Sequence, residues 1–330
     1  MTVPGTSPGP DPFGGDPDTR VALEWVGNGE VPPSAPGNYG RLFTFQGRTR
    51  YYEVHLPTSY KTTNPPALVI VLHGGSGFPT LMRFVTGGFG GTSGMDELSD
   101  TEGFIVVYPA GTGTQGYDRR LFWNTGFPMI DPAQAAVNDV EYMRFVLDDC
   151  RRYFYYNPRK VYVTGISNGA TMCYKLAVEM PARIAAIAPV AGHTAAYEFP
   201  HYPALPFSVV QFSGALDPFN LYNGGPGGLV SEVFLPRDHE SVANVETSWQ
   251  KIVGCPTTVL GVQIGQAISR SHPNGATYDT EIANWTLLDG GHAWPGGNLT
   301  ALDVLAGSGH LNTDIDACAR MWAFFQRHRR

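Results

Sequence analysis

A series of short, almost unbroken apolar runs recurs along the chain, at Ala67–Leu72 (ALVIVL), Phe104–Tyr108, Lys160–Thr164, Ile184–Val190, Phe207–Phe212 and Ile282–Leu288. A strand with one wet face alternates apolar and polar residues. A strand buried on both faces reads as a continuous run. Between these runs, Asn138–Phe154, Ala170–Met180 and Thr313–His328 space their apolar residues by three and four, the period of a helix. Strand–helix alternation of this kind predicts an α/β architecture, a mostly parallel sheet with helices on both faces. Leu42–Leu56 is aromatic-rich and alternating, and is expected to add an antiparallel hairpin at a sheet edge.

The 330 residues suffice for one large catalytic-sized domain, expected over residues 21–330 after a Pro/Gly/Asp-rich leader at 1–20. A net charge of −7 excludes the basic field of a nucleic-acid binder. No stretch approaches the roughly 18 apolar residues of a membrane span. The leader has neither a basic nor an apolar signal region, so the chain reads as cytosolic or as a mature chain with an added Met. Cys150, Cys173, Cys255 and Cys318 lack metal-ligand spacing; they permit two disulfides without demanding any. Ser76–Gly94 and Asn220–Val242 read as long loops. Both follow strands, which sets them at the carboxyl edge of the sheet, where open α/β sheets bind ligands.

Gly165-Ile166-Ser167-Asn168-Gly169 matches Gly-x-Ser-x-Gly. So does Gly5-Thr6-Ser7-Pro8-Gly9 in the leader, so the pattern alone carries little. Context separates the two. The second copy leaves a strand directly and opens a helix, the setting of a nucleophile elbow, in which small residues flank a serine lifted above the sheet edge. A serine hydroxyl needs a base. His292, on the glycine-flanked loop after the last strand, is the expected base, with His193 as the other choice. Asp217, on the loop after Phe207–Phe212, is the expected acid that orients His292. Asp139 is expected to cap a helix instead. The Asn168 N–H is one expected oxyanion donor. Gly75, in Leu72-His73-Gly74-Gly75-Ser76-Gly77, is expected to supply the other, beside a structural His73. Phe78, Trp123, Tyr222 and Trp294 flank these loops as candidate substrate-binding residues.

The chain resembles the secreted poly(3-hydroxybutyrate) depolymerase and feruloyl esterase family of the α/β-hydrolase fold. The likeness lies in LHGGSG (72–77), GFIVVYP (103–109), NDVEYMR (138–144), VYVTGISNGATMCYKLA (161–177), IAAIAPVAG (184–192) and GGHAWPGG (290–297). The resemblance implies Ser167 as nucleophile, Asp217 as acid and His292 as base. It also implies an α/β-hydrolase fold without a large lid, extracellular location, and an ester or polyester substrate. The implied chemistry needs no metal and no cofactor. No nucleic-acid partner or membrane span is expected, and the state is a monomer or small homo-oligomer. Two departures touch the cleft: the glycine-rich Ser76–Gly94, and SGALDP where HGTADP is common. A serine peptidase of the same fold and a non-catalytic binding protein on a hydrolase scaffold are the competing classes.

Overall fold

The computed structural model describes residues 33–61, 63–87, 94–113, 120–127, 132–192, 207–226, 238–257, 259–273, 280–299 and 307–330. In chain order the strands are β1 (Gly37–Phe45), β2 (Arg48–Leu56), β3 (Leu68–Leu72), β4 (Ile105–Pro109), β5 (Val161–Ile166), β6 (Ala186–Val190), β7 (Ser208–Gly214), β8 (Gly225–Pro226), β9 (Asp238–His239), β10 (Leu260–Ile264), β11 (Ala267–His272) and β12 (Ile282–Leu287). The helices are α1 (Pro79–Val85), α2 (Met95–Glu102), α3 (Pro132–Ala135), α4 (Asp139–Tyr153), α5 (Asn168–Glu179), α6 (Val242–Val253) and α7 (Ala317–Phe325). Ten strands form one sheet in the order β1-β2-β4-β3-β5-β6-β7-β12-β11-β10. From β4 to β12 every neighbour is parallel. The hairpins β1–β2 and β10–β11 flank this centre with antiparallel pairing.

The continuous apolar runs are buried on both faces. In β3, Leu68, Ile70 and Leu72 join a core with α4, α5 and α6, whereas Val69 and Val71 join a core with α1, α2 and α7. Each fully buried aliphatic side chain contributes about 1.5–3 kcal/mol, so the sheet centre anchors everything mounted on its edge. Because β5, β6, β7 and β12 are parallel neighbours, their carboxyl ends open onto one common edge.

Several expectations are corrected. Ser76–Gly94 is not a loop throughout, since residues 79–85 form α1. Pro79 starts that helix, where its missing N–H costs nothing. Arg83 fixes it from below, with Nε 2.8 Å from Asp96 Oδ2 and Nη1 3.3 Å from Glu53 Oε2, all three side chains buried. The expected Asn220–Val242 loop contains the short β8–β9 pair and ends at the start of α6, which Ser241 caps. Asn138, not Asp139, caps α4 by accepting from the Glu141 N–H at 3.0 Å. Asp139 is buried against Arg50, 2.8 Å away. His328, at the end of the Thr313–His328 helical pattern, is buried between Ser208 and Glu281. The four cysteines are all free and buried. The leader, His193 and parts of both long loops (88–93 and 227–237) lie outside the described residues. Among the described residues no helix is long and apolar enough to cross a membrane.

Candidate active site

Ser167 joins β5 to α5 with φ 56° and ψ −118°. That region is sparsely populated for any residue with a Cβ and costs about 1–3 kcal/mol, so it persists only where the surroundings enforce it. They do so from three sides. The Ser167 N–H donates to the Val190 carbonyl at 2.9 Å. A Cβ at Gly165 would fall 2.7 Å from both the Cβ and the carbonyl oxygen of Leu72. A Cβ at Gly169 would fall 2.5 Å from the His73 carbonyl oxygen and 2.6 Å from that of Leu72. Strand, turn and helix are therefore packed backbone against backbone, which explains the two flanking glycines. Serine at the start of a helix ordinarily caps it. The Ser167 side chain makes no capping hydrogen bond.

The loop after β3 lies against this elbow. A Cβ at Gly74 would sit 3.5 Å from the Ser167 Cβ, and one at Gly75 would sit 3.8 Å from the Asn168 Cβ. His73 braces the loop as expected. Its Nδ1–H donates to the Gly74 carbonyl at 2.7 Å, and its Nε2 accepts from the Gly111 N–H at 2.9 Å. Burial drives its pKa down to about 4, so the ring stays neutral and keeps that tautomer.

Asp217 and His292 meet. His292 Nδ1 lies 2.8 Å from Asp217 Oδ2, and both residues are buried. The other carboxylate oxygen accepts from the backbone N–H groups of Phe219 and Asn220, each at 2.8 Å. Three donors thus hold one buried carboxylate rigidly in place. With Nδ1–H directed at Asp217, His292 Nε2 is left as the acceptor. The loops are also locked together, since a Cβ at Gly214 would collide with the carbonyl oxygens of Gly290 and Gly291.

Asn220 was missed in the sequence. Its Nδ2 donates to the Ala191 carbonyl at 2.7 Å and lies 3.4 Å from His292 Nδ1. Ala191 stands between Val190 and Gly192. Val190 accepts from Ser167 N–H, and a Cβ at Gly192 would fall 2.6 Å from the Ser167 carbonyl oxygen. A chain of contacts therefore runs from His292 through Asn220 and the end of β6 to Ser167. The readable signal was Asp-Pro after a strand, which favours an Asx-type turn over the next residues. Phe219 was missed too; its ring packs 4.9 Å from that of His292.

The four aromatic candidates divide. Phe78 and Tyr222 are half-buried. Phe78 stands at the start of α1, and the Tyr222 hydroxyl is 2.9 Å from Thr286 Oγ1. Trp123 and Trp294 correct the expectation. They are 0% and 1% exposed and belong to the two cores rather than to an open wall. The Trp123 indole N–H donates to the His73 carbonyl at 2.9 Å. An aromatic residue beside a motif looks the same in sequence whether it lines a cleft or packs beneath it.

No protein-family model matches the chain. It is 25% identical over 276 residues, 79% of its length, to NocK of Nocardia uniformis subsp. tsuyamanensis, a protein named as an esterase, and covers 75% of that relative. It is 26% identical over 148 residues, 44% of its length, to the bifunctional acetylxylan esterase/xylanase XynS20E of Neocallimastix patriciarum. It is 29% identical over 140 residues, 39% of its length, to poly(3-hydroxyalkanoate) depolymerase C of Paucimonas lemoignei. Of these last two relatives the chain spans only 18% and 32%. Among solved structures, the complex of a pOPH variant with DMSO superposes with a TM-score of 0.50 at 12% identity, covering 81% of this chain and 84% of that one. With the parallel sheet and its strand–helix elbow, these likenesses make the chain an ester hydrolase of the α/β-hydrolase fold.

Proposed function

We propose that Ser167, His292 and Asp217 are the catalytic triad of this hydrolase, with Asn168 N–H and Gly75 N–H as oxyanion donors. The observation that carries the reading is the buried 2.8 Å His292–Asp217 pair, mounted on the same sheet edge as a serine in enforced strained geometry. Ser167 Oγ attacks the ester carbonyl carbon while its proton passes to His292 Nε2. The carbonyl oxygen becomes an oxyanion held by the two backbone donors. As the tetrahedral adduct collapses, the imidazolium returns the proton to the departing alcohol oxygen, and Asp217 stabilises that imidazolium. Water, deprotonated by His292, attacks the acyl-enzyme carbonyl. The acid product leaves, and Ser167 regains its proton.

The proposed substrates are a polyester of the polyhydroxyalkanoate type and the feruloyl or acetyl esters of plant-wall polysaccharides. The names of two relatives support the acetyl-ester and polyhydroxyalkanoate parts of this range, and the sequence resemblance supplies the feruloyl part. Leu216, 62% exposed one residue before Asp217, adds an apolar element at the rim. The proposed location is extracellular, as for a depolymerase that must meet an insoluble polymer, and the proposed unit is a monomer or small homo-oligomer. The test is product release by liquid chromatography from polyhydroxybutyrate film and feruloylated xylan, side by side. Ser167→Ala is expected to lower release by a factor of about 10⁴ or more. Hydroxybutyrate alone identifies a depolymerase, and ferulate alone identifies a plant-wall esterase. Equal release by Ser167→Ala and the unchanged enzyme would sink the triad.

A further inference from the structure

Asn168 has a backbone role in the proposed site that any residue in its place could fill, because the oxyanion donor is its main-chain N–H. Its side chain is engaged elsewhere. Oδ1 accepts from the Trp123 N–H at 2.7 Å, and Nδ2 donates to the Trp123 carbonyl at 3.2 Å. A primary amide satisfies both backbone groups of one residue at once; a carboxylate or an aliphatic side chain does not. Trp123 in turn donates its indole N–H to the His73 carbonyl at 2.9 Å and lies against the His73 ring, centroids 4.8 Å apart. His73 closes the circuit through its bonds to the Gly74 carbonyl and the Gly111 N–H. Asn168, Trp123 and His73 are 8%, 0% and 1% exposed, so water replaces none of these bonds.

The two proposed oxyanion donors belong to different segments, the start of α5 and the loop after β3. Covalent structure does not fix their separation. Gly169 packs the elbow against the Leu72 and His73 carbonyls, and the circuit adds a side-chain tie across that junction: it leaves the elbow through the Asn168 side chain and enters the other loop at His73, two residues before Gly75. We infer that the Asn168 side chain is a positioning residue, which sets the spacing of the Asn168 and Gly75 N–H donors through Trp123 and His73. This rests on the oxyanion reading given above and extends it.

The test compares the unchanged enzyme with Asn168→Ala, Trp123→Phe, the double variant and Ser167→Ala. It measures hydrolysis of p-nitrophenyl butyrate and binding of phenylboronic acid, which forms a tetrahedral adduct on a reactive serine. Asn168→Ala keeps the backbone N–H. It is expected to lower kcat about 10- to 100-fold, and boronate affinity by a similar factor, because a small misplacement of oriented groups has effects of that size. KM is expected to move less than about three-fold, since the interaction lost is made in the transition state. Trp123→Phe keeps an aromatic ring against His73 and removes the indole hydrogen bond, so it carries the test should Asn168→Ala fold poorly. The double variant is expected to be little worse than the poorer single one, because both cut the same circuit. A lowered melting temperature with unchanged kcat and boronate affinity would overturn the inference, as would strictly multiplicative effects in the double variant. Activity and boronate binding that survive in Ser167→Ala would instead overturn the underlying triad.

Discussion

The two halves of the candidate site are built by different physics. The elbow half is held by steric contact. Gly165 and Gly169 let β5, α5 and the loop after β3 touch through their backbones, and Ser167 is forced into a conformation it would not choose. The acid–base half is held by hydrogen bonds from a small number of side chains. Asp217 receives three donors, and Asn220 ties its loop to the end of β6. Steric contact leaves little tolerance for added atoms. A hydrogen-bonded pair tolerates atoms of the same shape but depends on their charge and proton count. Substitutions that add atoms in the first half should therefore show mainly as lost folding, and isosteric ones in the second mainly as lost chemistry.

The largest effect is expected at Asp217→Asn. The change preserves shape, removes the charge that stabilises the imidazolium, and favours the wrong His292 tautomer. A fall in kcat of about 10⁴-fold follows, with a folded protein by circular dichroism. A kcat within ten-fold of the unchanged enzyme would break the comparison on that side. Next in size is Gly169→Ala. Its new Cβ meets the carbonyl oxygens of Leu72, the last residue of β3, and of His73 just after it, so stability should drop by about 3 kcal/mol or more in denaturant titration. A near-normal unfolding midpoint would show that the elbow is looser than its packing.

A smaller effect sharpens the comparison through pH. His73 braces the elbow half, and burial lowers its pKa from 6.5 to about 4. The unfolded chain therefore binds more protons than the folded one between those values. The stability that neutral His73 contributes is complete above about pH 6.5 and is lost as pH falls toward 4. Between pH 7 and pH 5 the loss is about 2 kcal/mol. Unfolding free energies of the unchanged protein and His73→Gln at both pH values isolate it. The variant, which has no proton to gain there, should show a slope flatter by that amount, and parallel slopes would contradict the assignment.

The legible parts of the molecule were those where one physical demand dominated. Strands such as Leu68–Leu72 had to be apolar throughout because both faces are covered. The Asp217–His292 pairing followed from loops after adjacent strands on one edge. Elsewhere several demands competed. The α1 helix has seven residues, too few for a period to emerge from a glycine-rich stretch, and a buried ion cluster supplies what periodicity could not. The β10–β11 hairpin went unread because β10 is an edge strand. Leu260 and Val262 are 58% and 57% exposed, so no buried face marks it. Asn168 was read for its backbone alone, since its side-chain partner Trp123 is 45 residues away.

The four buried thiols have a consequence of their own. Burial raises the pKa of each, which suppresses the thiolate that reacts with oxidants and alkylating reagents. The folded protein has no disulfide to lose under reduction and no exposed thiol to offer an oxidant. Its cysteines then serve as silent clocks, which a thiol-reactive dye starts only when the part of the core around each one opens.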